Sequence, residues 1–252
     1  MESKVCYLID PDEMLQAAQR GDVAKVRQLL ASDTTLVNAK GAHNKTPLHW
    51  AAEKNYRELA ELLLTAGADI NAEVSWGMTP LQWAANMGSR HVAEILLVHG
   101  AAPQLNMWCA AGLGMLDVVK SFWDSPNTLK PGAGQTRTRD LGDGKWGKAP
   151  PPESYGELVS EAFHIAARNG HLEVAKFLLE KGADINCRGF FGAPGLHWGA
   201  INGHKAMVEF LIDRGADLTL RDQHFNSTAL GWALEGKQTA IAELLKARGV
   251  SK

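Results

Sequence analysis

Cysteine is scarce in this chain. Cys6, Cys109 and Cys187 are odd in number, far apart and lack metal-ligand spacing. They exclude a disulfide framework and read as reduced thiols of a cytosolic protein. Long apolar runs are missing too. The run from Val5 to Ile9 ends at Asp10, too short and too acidic for a signal peptide, and no stretch reaches membrane-spanning length. Neither sign of charge dominates: the formal net charge is -2, which provides no global field for capturing nucleic acid. No HExxH, nucleophile elbow or cysteine–histidine signature is present, so no catalytic residue, metal or cofactor is assigned. Gly142, Gly147 and Lys148 nearly satisfy a phosphate loop. However, Ala149 stands where the Mg²⁺-binding hydroxyl belongs, and Pro150, Pro151 and Pro152 block the helix such a loop must lead into.

What the chain has is a period. "KTPLHWAAEKNYRELAELLLTAGADINAE" begins at Lys45, "MTPLQWAANMGSRHVAEILLVHGAAP" at Met78, "FHIAARNGHLEVAKFLLEKGADINCR" at Phe163 and "LHWGAINGHKAMVEFLIDRGADLTLR" at Leu196. A small residue recurs at Ala17, Ala51, Ala84, Ala110, Ala166, Gly199 and Ala233, in steps of 34, 33, 26, 56, 33 and 34. The physics of one unit is legible. Thr46 can cap a helix, Pro47 fits its first turn, and Leu48 enters the core. Ala51 and Ala52 allow close packing of a second helix, which carries Leu59, Leu62 and Leu63 at helical spacing. Gly67 supplies the left-handed conformation that ends it. One such pair cannot bury its apolar face alone, so neighbours must stack.

From residue 46 to 71 the pattern closely resembles the ankyrin repeat, TPLHxAA…GxxxLLxxGADxN, and the resemblance extends over about nine-tenths of the chain. The expected fold is an all-α repeat solenoid of about seven stacked helix-turn-helix repeats with β-turn fingers. The units fall near 12–40, 41–73, 74–106, 107–124, 157–188, 189–221 and 222–249, in one domain over 1–252. The first pair of helices lies near 12–31 and the last near 228–247. The first unit lacks TPLH, and the sixth and seventh read "APGLH" and "STALGW", so their caps are weaker.

The fourth unit arrives seven residues early and the fifth 23 late. A reduced fourth finger and a Gly/Pro-rich insertion over 125–156 account for this. No helical or alternating apolar period runs through 130–152, so no regular element is expected there. Instead the insertion is expected to fold back over the gap, with Trp146 or Tyr155 docking near the third and fifth units. His49, His164 and His197 fill the TPLH slot, and the resemblance gives them inter-repeat hydrogen bonds. Trp50, Trp83, Trp198 and Trp232 precede the small pair and read as core between repeats.

The resemblance also implies a concave face that binds another protein, as scaffold or inhibitor. Its candidate anchors are Trp76, Met87, Leu113, Arg168, Asn169, Phe190, Phe191 and Ile201, with Trp146 and Tyr155 from the insertion. Met87, Leu113 and Ile201 supply an exposed apolar middle, and Arg168 and Asn169 orienting hydrogen bonds. The alternative is a small-molecule binder or enzyme with a pocket between the insertion and the third to sixth repeats, using Tyr155, Arg168, Asn169 and His224. A cytoplasmic monomer that binds neither nucleic acid nor membrane is expected.

Overall fold

The structure, a computed structural model, describes residues 10–101, 106–134, 137–140, 146–149 and 154–250; for 137–140, 146–149 and Phe190 this covers the backbone alone. The chain divides into two compact units, Met1–Pro103 and Gln104–Lys252. Among the described residues of the first are three helix pairs: α1 (Pro11–Arg20) with α2 (Val23–Ser32), α3 (Pro47–Lys54) with α4 (Arg57–Thr65), and α5 (Pro80–Met87) with α6 (Arg90–Val98). The second holds four: α7 (Met107–Gly112) with α8 (Leu116–Ser121), α9 (Tyr155–Arg168) with α10 (Leu172–Glu180), α11 (Gly195–Ile201) with α12 (Lys205–Asp213), and α13 (Ala229–Glu235) with α14 (Thr239–Ala247). In the first unit α3 packs between α1 and α5, and α4 between α2 and α6. In the second, α9 packs on α7 and α11, and α11 on α13.

Local chemistry explains these boundaries. Thr46 and Thr79 form capping boxes with His49 and Gln82, each followed by proline in the first turn. The weaker caps expected later are real: neither Pro194 nor Thr228 makes a side-chain cap bond. The small residues do what their slot requires, for Ala51, Ala84, Ala110, Ala166 and Ala233 are fully buried. In the second unit a core of Met107, Phe163, Ile165, Leu178, Leu196 and Leu211 runs through the pairs.

Histidines tie neighbouring pairs together. The Nε2–H groups of His49, His164 and His197 donate to the carbonyls of Met78, Ala193 and Ser227 at 3.0 to 3.1 Å. Each bond spans about one repeat in sequence. Burial pulls His49 and His164 down to about 4, so both imidazoles are neutral at pH 7. A second joint uses glycine. Gly114 and Gly170 turn with φ of 70° and 77°, and the rings of His171 and His204 lie where a Cβ would stand, 2.5 and 2.7 Å away. Tyr56 meets Gly21, and Gln238 meets Gly203, in the same way.

The insertion departs from expectation. Trp123–Ser125 (β1) pairs antiparallel with Thr128–Leu129 (β2), and Arg137–Asp140 (β3) pairs antiparallel with Trp146–Ala149 (β4). The second hairpin corrects the reading that 130–152 holds no regular element. A two-stranded ribbon needs ladder hydrogen bonds and a turn, not a buried face, so it leaves no apolar alternation to detect. Gly142, Asp143 and Gly144 between its strands are turn formers. The strand over 146–149 also places Lys148 and Ala149 on a ladder, not at the mouth of a helix. Ahead of that hairpin, Ala133 is buried and its carbonyl accepts from the Met107 N–H at 3.1 Å, returning the insertion to the start of α7.

Candidate functional site

In the first unit, aromatic rings gather on one side of α3 and α5. Trp50 and Trp83 hold the slot before the small pair, and both are half-buried, not sealed in the core as expected. Indoles are large and carry an N–H, which favours this intermediate position. The Lys45 ammonium sits 3.2 Å from the Trp50 ring centre and 4.8 Å from that of Trp83. It pairs with Glu53, whose carboxylate also accepts from Trp83 Nε1 at 3.2 Å and meets Lys54 at 3.1 Å. Burial holds Lys45 below its ordinary range. Burial also pushes Glu53 up, but Lys45 and Lys54 outweigh it and leave the carboxyl low.

Trp76 extends this cluster, with Trp83 at 6.0 Å and His43 at 5.1 Å between ring centres. His43 reaches it from a left-handed turn, φ 58°. These rings line a cavity of about 400 Å³ together with Asp12, Gln16 and Gln19 of α1. All of its lining lies between Asp12 and Trp83, so it uses no residue of the insertion. Met87, at the end of α5, is 43% exposed as expected.

The second unit repeats the device with different parts. Arg168, the last residue of α9, lays its guanidinium 4.3 Å from the Trp198 ring centre, and burial pulls it down to about 10. Phe191 stacks on the same indole at 6.0 Å and 22°, from a left-handed turn with φ 59°. Trp232 stands edge-on to Trp198 at 4.8 Å and donates to Asp222 at 2.9 Å. Phe225 and His224 close the group on Phe191, at 5.9 and 5.1 Å. Phe225 is 62% exposed and Phe191 41%, so the cluster shows two apolar rings to solvent.

The sequence-derived anchors therefore separate. Trp76 lines the cavity, and Arg168 and Phe191 meet on Trp198. Ile201, one turn beyond Trp198, is half-buried, and its carbonyl accepts from Gln238. Asn169 turns inward and donates to the Gly112 carbonyl at 2.8 Å, as does His171 at 2.9 Å. Leu113 is a correction: it was placed on the exposed strip but is 1% exposed. Here α7 stops at Gly112, and the turn between α9 and α10 clamps onto that last carbonyl through Asn169 and His171; the following residue is enclosed, where Met87 is exposed. Tyr155 begins α9 but joins none of these groups. Its hydroxyl donates to the Lys181 carbonyl at 3.0 Å and accepts from Trp123 Nε1 at 3.1 Å, pinning the insertion's first hairpin to the end of α10. The side chains of Trp146 and Phe190 lie outside the described residues.

The sequence reading missed Lys45 and Asp12, and it took the tryptophan slot as core, which holds for Trp232, 6% exposed, but not for the half-buried Trp50, Trp83 and Trp198. The signal was available: large amphipathic rings at one register position, with a cation nearby, fit a partly exposed face better than a dry core. Among the described residues no three His, Cys, Asp or Glu side chains come together as metal ligands, and no helix is long and apolar enough to cross a membrane. A family model described as ankyrin repeats (three copies) matches residues 14–107 and again 163–252. With most of its length matched in this way, the chain belongs to the ankyrin-repeat family.

Proposed function

We propose that this protein binds another protein through its aromatic faces and performs no chemistry of its own. Ankyrin repeats are generally protein-interaction modules, and the family is generally non-enzymatic. The observation that carries the reading here is the solvent-facing pair Phe191 and Phe225. Each sits on a tryptophan that Arg168 or Asp222 fixes in place. Rigid aromatic anchors with little side-chain entropy left to lose are what protein interfaces concentrate at their centres. The array is read as seven repeats with an insertion over 125–156, acting in the cytoplasm as a monomeric scaffold or inhibitor.

A photo-crosslinking amino acid placed at Phe225, with a second at Val98 as control, tests this in cell extract. Val98 is 84% exposed but stands outside both clusters. A discrete protein adduct from position 225 alone is expected. Equal adducts from both positions, or none from 225, would remove the reading, and retention of a small molecule alone would favour a ligand-binding role.

A further inference from the structure

We infer that the cavity of the first unit receives an arginine side chain from a basic segment of the partner. This rests on the protein-binding reading above and names the chemistry that one of its faces selects. The chain itself shows what its slot tryptophans hold. Trp198 carries the Arg168 guanidinium at 4.3 Å, and Trp50 and Trp83 carry the Lys45 ammonium at 3.2 and 4.8 Å. In both units a cation lies on an indole face, where the ring quadrupole attracts it. Trp76 continues the wall beyond Trp83, so further indole surface borders the cavity.

Charge decides what the remaining space accepts. Lys45 is paired with Glu53, a residue outside the cavity lining, so its positive charge does not stand alone against an incoming cation. Asp12, also in the lining, is exposed, and among the described residues no ion pair engages its carboxylate. Its neighbour Glu13 is by contrast taken up by Lys25 at 2.7 Å. Gln19 adds an amide to the lining, while the Gln16 amide oxygen already accepts from Arg20 at 3.4 Å. The first unit as a whole carries 12 Asp and Glu against 9 Lys and Arg, a net of -3 that favours approach of a basic segment. A planar guanidinium uses both kinds of group at once: its face stacks on indole while its edge donates to a carboxylate. An acidic side chain would meet Asp12, and an aliphatic one would leave that carboxylate unused. At about 400 Å³ the cavity takes one long side chain and not a folded element.

The test is a titration of the full chain, selectively labelled at tryptophan indole ¹⁵N, with acetyl-Gly-Arg-Gly-amide. The citrulline peptide, neutral and of the same shape, and the glutamate peptide are the comparisons. Saturable shifts of the Trp76 and Trp83 indole signals by the arginine peptide are expected. Affinity should fall about fivefold with citrulline or in Asp12→Asn, the scale of a partly exposed cation contact. The glutamate peptide should leave these signals in place. Asp12 is exposed, so Asp12→Asn should keep its helical circular dichroism, and Trp76→Phe provides a second variant that retains a ring. Equal binding of citrulline, an unchanged affinity in Asp12→Asn, shifts confined to Trp198 and Trp232, or no saturable shift at all would each overturn the inference. If the arginine peptide fails while position 225 still crosslinks a protein, this cavity is wrong and the protein-binding reading stands. The opposite pair of results removes the latter.

Discussion

Asp222 offers the sharpest test of how the second aromatic cluster is held. Its side chain is almost wholly buried, with the residue 3% exposed, and its two oxygens serve four donors. Oδ1 accepts from the backbone N–H groups of His224 at 2.9 Å and Phe225 at 2.5 Å, while Oδ2 accepts from Ser227 N–H at 3.0 Å and Trp232 Nε1 at 2.9 Å. Burial pushes this carboxyl up, but the donors of Phe225, Trp232, Ser227 and His224 outweigh it and leave the group below its ordinary value. Asp222→Ala strands all four donors. At about 1–3 kcal/mol for each buried donor left unmade, with water recovering the outermost, the expected loss is about 3–5 kcal/mol. Asp222→Asn keeps the shape but loses the charge and presents only one accepting oxygen, and should cost about 1.5–3 kcal/mol. The lowered value fixes the sign with pH. The charged form contributes stability above the unfolded-state value, about 3.9, and that contribution disappears as pH falls through the folded-state value. Parent and Asp222→Asn should therefore converge in acid. Urea unfolding followed by tryptophan fluorescence, at pH 7 and stepwise below pH 4, measures both effects. An Asp222→Ala protein within about 1 kcal/mol of the parent at pH 7 would refute the reasoning, as would a penalty that persists unchanged in acid.

Two further outcomes follow from buried groups. His49 and His164, held near 4 against an unfolded value of about 6.5, bind protons only on unfolding, so stability is complete above pH 6.5 and falls toward pH 4. Linkage gives about 2 kcal/mol lost per histidine by pH 5, and urea midpoints in parent and His164→Gln should show a shallower fall in the variant. Leu113→Asp places a charge where the residue is 1% exposed and should cost more than about 3 kcal/mol, whereas Met87→Asp, at 43%, should shift stability by about 0.5 kcal/mol or less. A thermal scan of both separates the two, and similar midpoints would contradict their different burial.

The helices were legible because their signals are local. Thr46 with Pro47, the Leu59–Leu63 spacing and the recurring alanines each act within a turn or two, and the capping boxes and buried small residues follow directly. The histidine bridges were legible through the resemblance, which supplies partners that a lone TPLH cannot name. The site was less so, because exposure depends on what the next pair does. Leu113 and Met87 share a register position, yet the clamp of Asn169 and His171 on Gly112 exists only at the former. Lys45 and Arg168 reach their indoles from different elements, one before α3 and the other at the end of α9. No single spacing announces both. The β3–β4 ribbon carries no apolar periodicity at all.

The glycine joints bear on how such a chain can be lengthened. Gly114 with His171 and Gly170 with His204 are the same coupling used twice, a socket on one pair and an imidazole plug on the next. Pair α9–α10 carries both halves in the turn between its helices, Gly170 as socket and His171 as plug, so a duplicate of it would fit either neighbour without redesign. The remaining couplings are not interchangeable with it. Gly21 takes Tyr56, Gly203 takes Gln238, and between the second and third pairs Asn55 replaces the glycine, with φ 56°, and meets His91 at 3.2 Å. Pair α9–α10 is thus modular stock, whereas α11–α12 carries the plug but a socket keyed to Gln238, and the first and last joints admit no insertion that lacks a matching key.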